Sequence, residues 1–383
     1  MRTAVVSSGL ITPFASSREE LREKLNGREL AYKQLSGDDW PGLERFRSQA
    51  GGKITGDRLE AARLAASRAG IEDGGLCDYF AAFAISRALE GLDINLARAG
   101  LVLGTNFGNA GKFLKLAQNA SSGKPFAAEM DGYLFGGMQK RLGDAFGING
   151  RRETLSLSCA SGTSLIALGK RWIDVGDCET VVCCGVDELN IYIYSGLNSL
   201  RAMSPDDIVR PWDSRRNGTV FSEGAGCVVL ISEEAANREH MDIEGRVVSS
   251  YQNNDGFHLS APDTTASGIT ELMTRTIELG GIDPQQVDFI NTHGTATPYN
   301  DKIETLAIRK VFGSHADAMP VTANKGAMGH LMGAAGIVET ISALHSMNAG
   351  SIPPTANSEQ PDEELTLDIC APIIPGRRKS VSR

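Results

Sequence analysis

Three residues in this chain have side chains and positions suited to covalent chemistry: Cys159, His293 and His330. Cys159 follows the alternating run Thr154–Ser158, which reads as a strand, and precedes a run with Leu165, Ile166, Leu168, Trp172 and Ile173 at helical spacing. A thiol at such a junction feels the free N–H groups and the positive end of the helix, which favour the nucleophilic thiolate. Ala160, Ser161, Gly162, Thr163 and Ser164 are all small, so other backbone or a ligand can come close. His293 lies just past the strand-like Val287–Asn291, with hydroxyls on alternate positions beyond it at Thr295 and Thr297. His330 follows the strand-like Pro320–Ala323 and is expected to open a helix running to Met347. Taken singly, each has a structural reading: a core cysteine, or a hydrogen-bonded histidine. Jointly they put one thiol and two imidazoles at the C-terminal ends of strands, where α/β proteins place ligands.

The elements that must hold these residues alternate. Strands are expected at Thr3–Ser8, Gly100–Gly104, Thr154–Ser158, Glu179–Val186, Gly224–Ser232, Glu244–Tyr251, Val287–Asn291 and Pro320–Ala323. Helices are expected at Ser16–Leu25, Asp57–Ala69, Asp78–Leu89, Glu233–Arg238, Thr265–Leu279 and Asp301–Val311, with mixed helical signals over 126–146. That alternation argues for parallel α/β sheets. The pattern restarts near residue 241, dividing the chain into halves at 1–240 and 241–383. Each half has a strand, a short turn and a helix rich in Gly and Ala, at Leu155–Gly169 and Val321–Gly336. Glycine is costly in a helix, and two thin helices make sense if both are sandwiched between sheets, in a layered α/β/α/β/α body.

Composition narrows the class. The chain has 383 residues, 41% hydrophobic and 22% charged, with a net charge of −9. Nucleic acid is therefore an unexpected partner. No apolar run reaches membrane-spanning length, and the N-terminus lacks a signal-peptide core. The seven cysteines are read as reduced thiols of a cytoplasmic protein, and no Cys/His set has zinc spacing.

Further stretches carry a specific resemblance: Ser158-Cys159-Ala160-Ser161-Gly162, Arg210-Pro211-Trp212-Asp213, Glu223-Gly224-Ala225-Gly226, Asn291-Thr292-His293-Gly294-Thr295, and Gly333-Ala334-Ala335-Gly336-Ile337-Val338-Glu339. Together they resemble the β-ketoacyl-acyl carrier protein synthases, over nearly the whole chain. The resemblance implies a five-layered thiolase-like fold, a homodimer and a catalytic set of Cys159, His293 and His330. It implies that Lys325 pairs with Glu339 in support, and that Thr295 and Thr297 hydrogen-bond a phosphopantetheine arm. The implied reaction is a decarboxylative Claisen condensation, in fatty acid or polyketide synthesis. Cys159 holds an acyl group as a thioester, and the imidazoles stabilise the enolate of malonyl-acyl carrier protein. No metal or bound cofactor is implied; the substrates ride on the phosphopantetheine of acyl carrier protein. His330 at a helix start is expected to stay neutral. Arg201, Arg210, Arg215 and Arg216 are candidates for docking an acidic carrier protein, with internal ion pairs as the competing reading.

The chain also departs from the family pattern. Thr219 stands where an aromatic is common, and Ser222 where glycine is usual. The family closes with two strands joined by a Gly-Phe-Gly-Gly turn, which is expected to be missing here. That departure keeps a non-condensing, chain-length-type partner subunit of a heterodimeric synthase in view as an alternative. Another is a thiolase-like acyltransferase, against which His293 and Lys325 argue.

Overall fold

The computed structural model describes residues 2–37, 39–124, 130, 133–258 and 262–369. Among these the strands are β1 (Thr3–Ile11), β2 (Lys33–Gln34), β3 (Ala50–Gly51), β4 (Gly100–Gly104), β5 (Arg152–Leu155), β6 (Thr180–Asp187), β7 (Gly224–Ser232), β8 (Gly245–Val247), β9 (Ile290–Asn291), β10 (Pro320–Thr322) and β11 (Asp368–Ile369). The main sheet has the order β5-β4-β6-β7-β1-β8. It is not all parallel as expected: β4 runs parallel to β5 and β6, but β7 is antiparallel to both β6 and β1, and β8 is antiparallel to β1. The reason is local. β7 follows β6 through the short helix Ile191–Ser199 and a long irregular stretch that together make no right-handed helical crossover, so nothing enforces a parallel return. A second sheet, β11-β10-β9, is parallel.

The layers follow from apolar faces. Helices Gly56–Arg68 and Leu76–Leu89 cover one face of the main sheet, where Phe80, Ile85, Leu101, Val182 and Cys227 share one core. Leu76–Leu89 is buried nearly all round rather than amphipathic, because Gly56–Arg68 packs outside it. The opposite face carries helix Ser161–Asp174, which touches helix Ala335–Ala349. The second sheet follows, with helices Ser267–Gly280 and Asn300–Phe312 outermost, packed through Ile308, Phe312, Met273 and Ile277. This is the α/β/α/β/α layering of the thiolase-like fold.

The two inner helices meet through glycine. A Cβ on Gly162 would lie 2.7 Å from the Ile337 nitrogen and 2.8 Å from the Gly336 nitrogen. Only hydrogen fits there, which explains glycine in helices that propensity alone disfavours.

Two helices depart from the expected pattern: Ala110–Ser121 and Ile191–Ser199. The second is rich in Ile and Tyr, which read as strand formers, yet Asn190 caps it by accepting the Tyr192 and Ile193 N–H groups. The expected helix from His330 is also broken. A short helix Lys325–Met328 precedes His330, a 3₁₀ turn Met332–Ala334 follows, and the regular helix starts at Ala335. The six described cysteines are free thiols. The expected loss of closing strands concerns the chain beyond 369, outside the described residues.

Candidate active site

The turn between β5 and the first inner helix bends sharply at Ser158, whose φ is +51°. That left-handed residue swings Cys159 out at the end of the sheet, two positions before the helix begins at Ser161. The Ser161 hydroxyl ties the turn, accepting the Leu157 N–H at 2.8 Å and donating to the Ser158 carbonyl. Cys159 is half-buried.

His293 arrives from β9 in the second sheet. Its loop is held by a buried carboxylate: Glu304 accepts the His293 N–H at 2.6 Å and the Gly294 N–H at 2.9 Å. Asp301 accepts the Ala296 and Trp212 N–H groups. His330 is 3% exposed and is bound edgewise to residues 220–222, its N–H donating to the Val220 carbonyl and its carbonyl accepting the Ser222 N–H. The separate elements converge. The Cys159 sulfur and one ring nitrogen from each histidine lie within 4.8 Å of one another. The two imidazoles meet edge to face, 5.4 Å between centroids.

Protonation follows from burial. Both imidazoles have their pKa held well below the usual value, first by desolvation and then by the positive charge of Lys325. His330 is thus neutral as expected, but for a different reason: it does not sit at the start of a helix. Its tautomer is set too. The Met332 N–H donates to Nδ1 at 2.9 Å, so the ring proton is on Nε2. Cys159 differs from expectation, since burial pushes its thiol above the usual value and the nearby Lys325 charge only partly opposes this.

Lys325 and Glu339 pair as the resemblance implied, Nζ to Oε1 at 2.5 Å, with the lysine side chain wholly buried. Thr295 and Thr297 share a hydrogen bond at 3.0 Å on the His293 loop. The Cys-His-His trio also has the donor types of a metal site. The fit is poor: a metal on His330 Nε2 would need the proton moved to Nδ1, where Met332 already points an N–H, and Lys325 adds positive charge beside it.

Sequence reasoning missed the buried carboxylates that hold the site. Asp187 is fully buried and accepts N–H groups from Asn106, Phe107 and Gly333. Glu223 accepts those of Ile54 and Leu189. Burial raises Asp187 to about 6, Glu304 to about 7 and Glu223 to about 8. Glu223 stood in the quoted motif Glu223-Gly224-Ala225-Gly226 without a role assigned to it. Three of the four arginines proposed for docking are engaged internally: Arg210 with Asp206, Arg215 with Asp213 and Glu359, Arg216 with Asp362. Thr219 is buried, its hydroxyl without a partner among the described residues.

An open apolar cavity of about 690 Å³ is lined by Phe107, Leu114, Tyr192, Ile193, Leu197 and Leu200. Its lining comes mainly from the two helices that the sequence pattern concealed.

Two glycine-joined inner helices, with a cysteine and two neutral histidines where the sheets meet, are the frame of a thiolase-like fold. The beta-ketoacyl synthase N-terminal domain matches residues 1–236, and the family's C-terminal domain matches residues 245–359. The chain belongs to the beta-ketoacyl synthase family. It is 31% identical over 310 residues to a 3-oxoacyl-[acyl-carrier-protein] synthase 2 of Coxiella burnetii, covering 76% of this chain and 74% of that protein. Its fold is similar to that of a beta-ketoacyl synthase from Burkholderia phymatum, with a TM-score of 0.86 and 24% identity over 97% of this chain and 92% of the other. It is also similar to a type II polyketide synthase ketosynthase in complex with its acyl carrier protein, with a TM-score of 0.85 and 20% identity over 96% and 92% of the two chains. No helix among the described residues is long and apolar enough to cross a membrane.

Proposed function

We propose that this chain is a 3-oxoacyl-acyl carrier protein synthase with Cys159 as nucleophile and His293 and His330 as oxyanion donors. The observation that carries the reading is the His330 tautomer: Nδ1 is occupied by the Met332 N–H, so Nε2–H is available to donate to an oxygen. In the first half-reaction the Cys159 sulfur attacks the acyl thioester carbonyl. The acyl group moves to sulfur, and the carrier leaves as its free thiol with the proton that Cys159 gave up. The Cys159 N–H is the donor proposed for the tetrahedral oxygen. In the second, malonyl thioester loses carbon dioxide and its carbonyl oxygen becomes an enolate oxygen. Neutral imidazole donors suit that charge without adding a proton that would quench it. The enolate carbon attacks the acyl carbonyl, the Cys159 sulfur leaves, and a proton from solvent restores the thiol.

The partner is an acyl carrier protein, a reading supported by the name of the Coxiella relative and by the ketosynthase–carrier complex of similar fold. Thr295 and Thr297 are read as the contacts of its phosphopantetheine arm, a role supported by their shared hydrogen bond on the His293 loop, and the apolar cavity suits an acyl chain. A homodimer is proposed with β5 as the interface strand: it is one of the two edges of the main sheet among the described residues, β8 being the other, and its backbone groups need cover. Lys325 and Glu339 support the histidines. No metal or bound cofactor enters the scheme.

The test separates the half-reactions. Labelled acyl-acyl carrier protein should label the wild type and leave Cys159→Ser nearly blank. His330→Ala and His293→Ala should still acylate but lose about 10²–10³ in carbon dioxide release, the usual cost of an oxyanion donor. Equal labelling of Cys159→Ser and wild type would remove the nucleophile assignment.

A further inference from the structure

We infer that Phe221 is a positioning residue for His330, fixing the plane of the imidazole that donates to the enolate. The inference rests on the role proposed above for His330. The two rings are stacked, with centroids 5.3 Å apart and planes 28° from parallel. Their backbones are joined as well. Phe221 and His330 form a β-bridge, and hydrogen bonds of 2.8 and 3.0 Å run from either side of Phe221 to the His330 backbone. A ring has two rotatable angles, so fixing it needs two constraints. The Met332 N–H holds Nδ1, which leaves rotation about that hydrogen bond free. The face of Phe221 removes it. Met332 itself adopts a left-handed φ of +53°, a conformation that costs free energy and persists only where the surroundings impose it.

Phe221 is itself immobile. It is 5% exposed, and its cluster includes Leu35, Ile193, Tyr194, Met203 and Met332. The next residue locks the segment sterically. The Ser222 hydroxyl is buried, has no hydrogen-bond partner among the described residues, and sits where a Cβ on Gly52 or Gly329 would fall, at 2.2 and 2.3 Å. Segment 220–222 is thus wedged between residue 52 and His330, which holds the Phe221 ring against the imidazole.

Loss of an aromatic contact of this kind corresponds to about a two- to tenfold rate effect. In full-length protein, Phe221→Leu keeps apolar volume and removes the face, while Phe221→Tyr keeps the face. Decarboxylation of malonyl-acyl carrier protein should fall several-fold in Phe221→Leu with Cys159 acylation unchanged, and Phe221→Tyr should restore it. In ¹⁵N-histidine spectra, the His330 nitrogens should show the single Nε2–H tautomer in wild type and an averaged pair in Phe221→Leu. Unchanged decarboxylation and spectra in Phe221→Leu would overturn the proposal, as would equal loss of acylation and decarboxylation. If His330→Ala itself decarboxylates at the wild-type rate, the donor role fails instead, which is a separate result.

Discussion

Replacing Gly162 by alanine should open the active site without touching any reacting group. The added Cβ would lie 2.7 Å from the Ile337 nitrogen, 2.8 Å from the Gly336 nitrogen and 2.9 Å from the Gly333 oxygen. All three are backbone atoms, so no side chain can turn away. An ordinary contact begins at 3.4 Å, so the helices must part by 3.4 − 2.7 = 0.7 Å. Gly162 lies three residues after Cys159, and Gly333 three after His330, so the parting acts directly on the sulfur–imidazole gap. Overpacking of this kind costs about 1–3 kcal/mol in stability, and a misplacement near 1 Å costs up to about 10²-fold in rate. We expect condensation to fall roughly 10- to 100-fold. The control is Gly169→Ala on the same helix. Its Cβ meets only side chains, the nearest being the Cys183 sulfur at 2.6 Å, so it should cost similar stability with little loss of rate. Urea unfolding and steady-state condensation on both variants decide the matter. Equal rate losses in the two, or a Gly162→Ala enzyme at wild-type rate, would refute the reasoning.

Four other outcomes are expected. Lys325→Ala leaves Glu339 without its buried partner and should lower stability by about 3–5 kcal/mol and slow the malonyl half-reaction, with Lys325→Arg recovering part; thermal unfolding and carbon dioxide release measure both. Because burial raises the Cys159 thiol, its alkylation by iodoacetamide should keep accelerating above pH 8, and a plateau by pH 7 would contradict this. Glu223 is raised from the ordinary carboxyl range to about 8, so the folded state holds a proton that the unfolded state releases. Its stabilising contribution is complete below about pH 4.5 and is lost as pH rises towards 8, so the melting temperature should decline across that window, with a shallower decline in Glu223→Gln. Docking must use arginines other than the paired ones. Arg47 and Arg201 are exposed neighbours whose backbone N–H groups both bond to Asn198, and Arg47→Ala/Arg201→Ala should weaken carrier binding and flatten its salt dependence, as read by titration at two ionic strengths.

Much of this site was legible in the sequence because the relevant signals are local. A strand, a turn of small residues and a helix around Cys159 are read from spacing alone, and β7 and helix Glu233–Arg238 match expectation to the residue. What was concealed depends on tertiary contacts. Ile191–Ser199 is a helix because Asn190 caps it and the core takes its aromatics, against local propensity. The helix expected from His330 breaks because residues 220–222 capture the His330 backbone. The thiol shift reverses because burial outweighs a nearby helix end, and burial is invisible in a linear chain. Arg210, Arg215 and Arg216 look like a surface patch in sequence, yet two of their acidic partners lie more than 140 residues away.

Two of the buried carboxylates that clamp the site join distant parts of the chain: Asp187 to Gly333 across 146 residues and Glu223 to Ile54 across 169. Contacts at such separations are slow to form, because loop closure must precede any gain from them. The order of folding is thereby constrained. Helices form from near neighbours, while the main sheet, in which β1 pairs with β7 at Thr3 and Ser232, and the pocket around Cys159 close only when distant parts of the chain have met. After dilution from denaturant, helical circular dichroism should return before Cys159 accepts an acyl group, so a newly made chain is helical for a time before it is an enzyme.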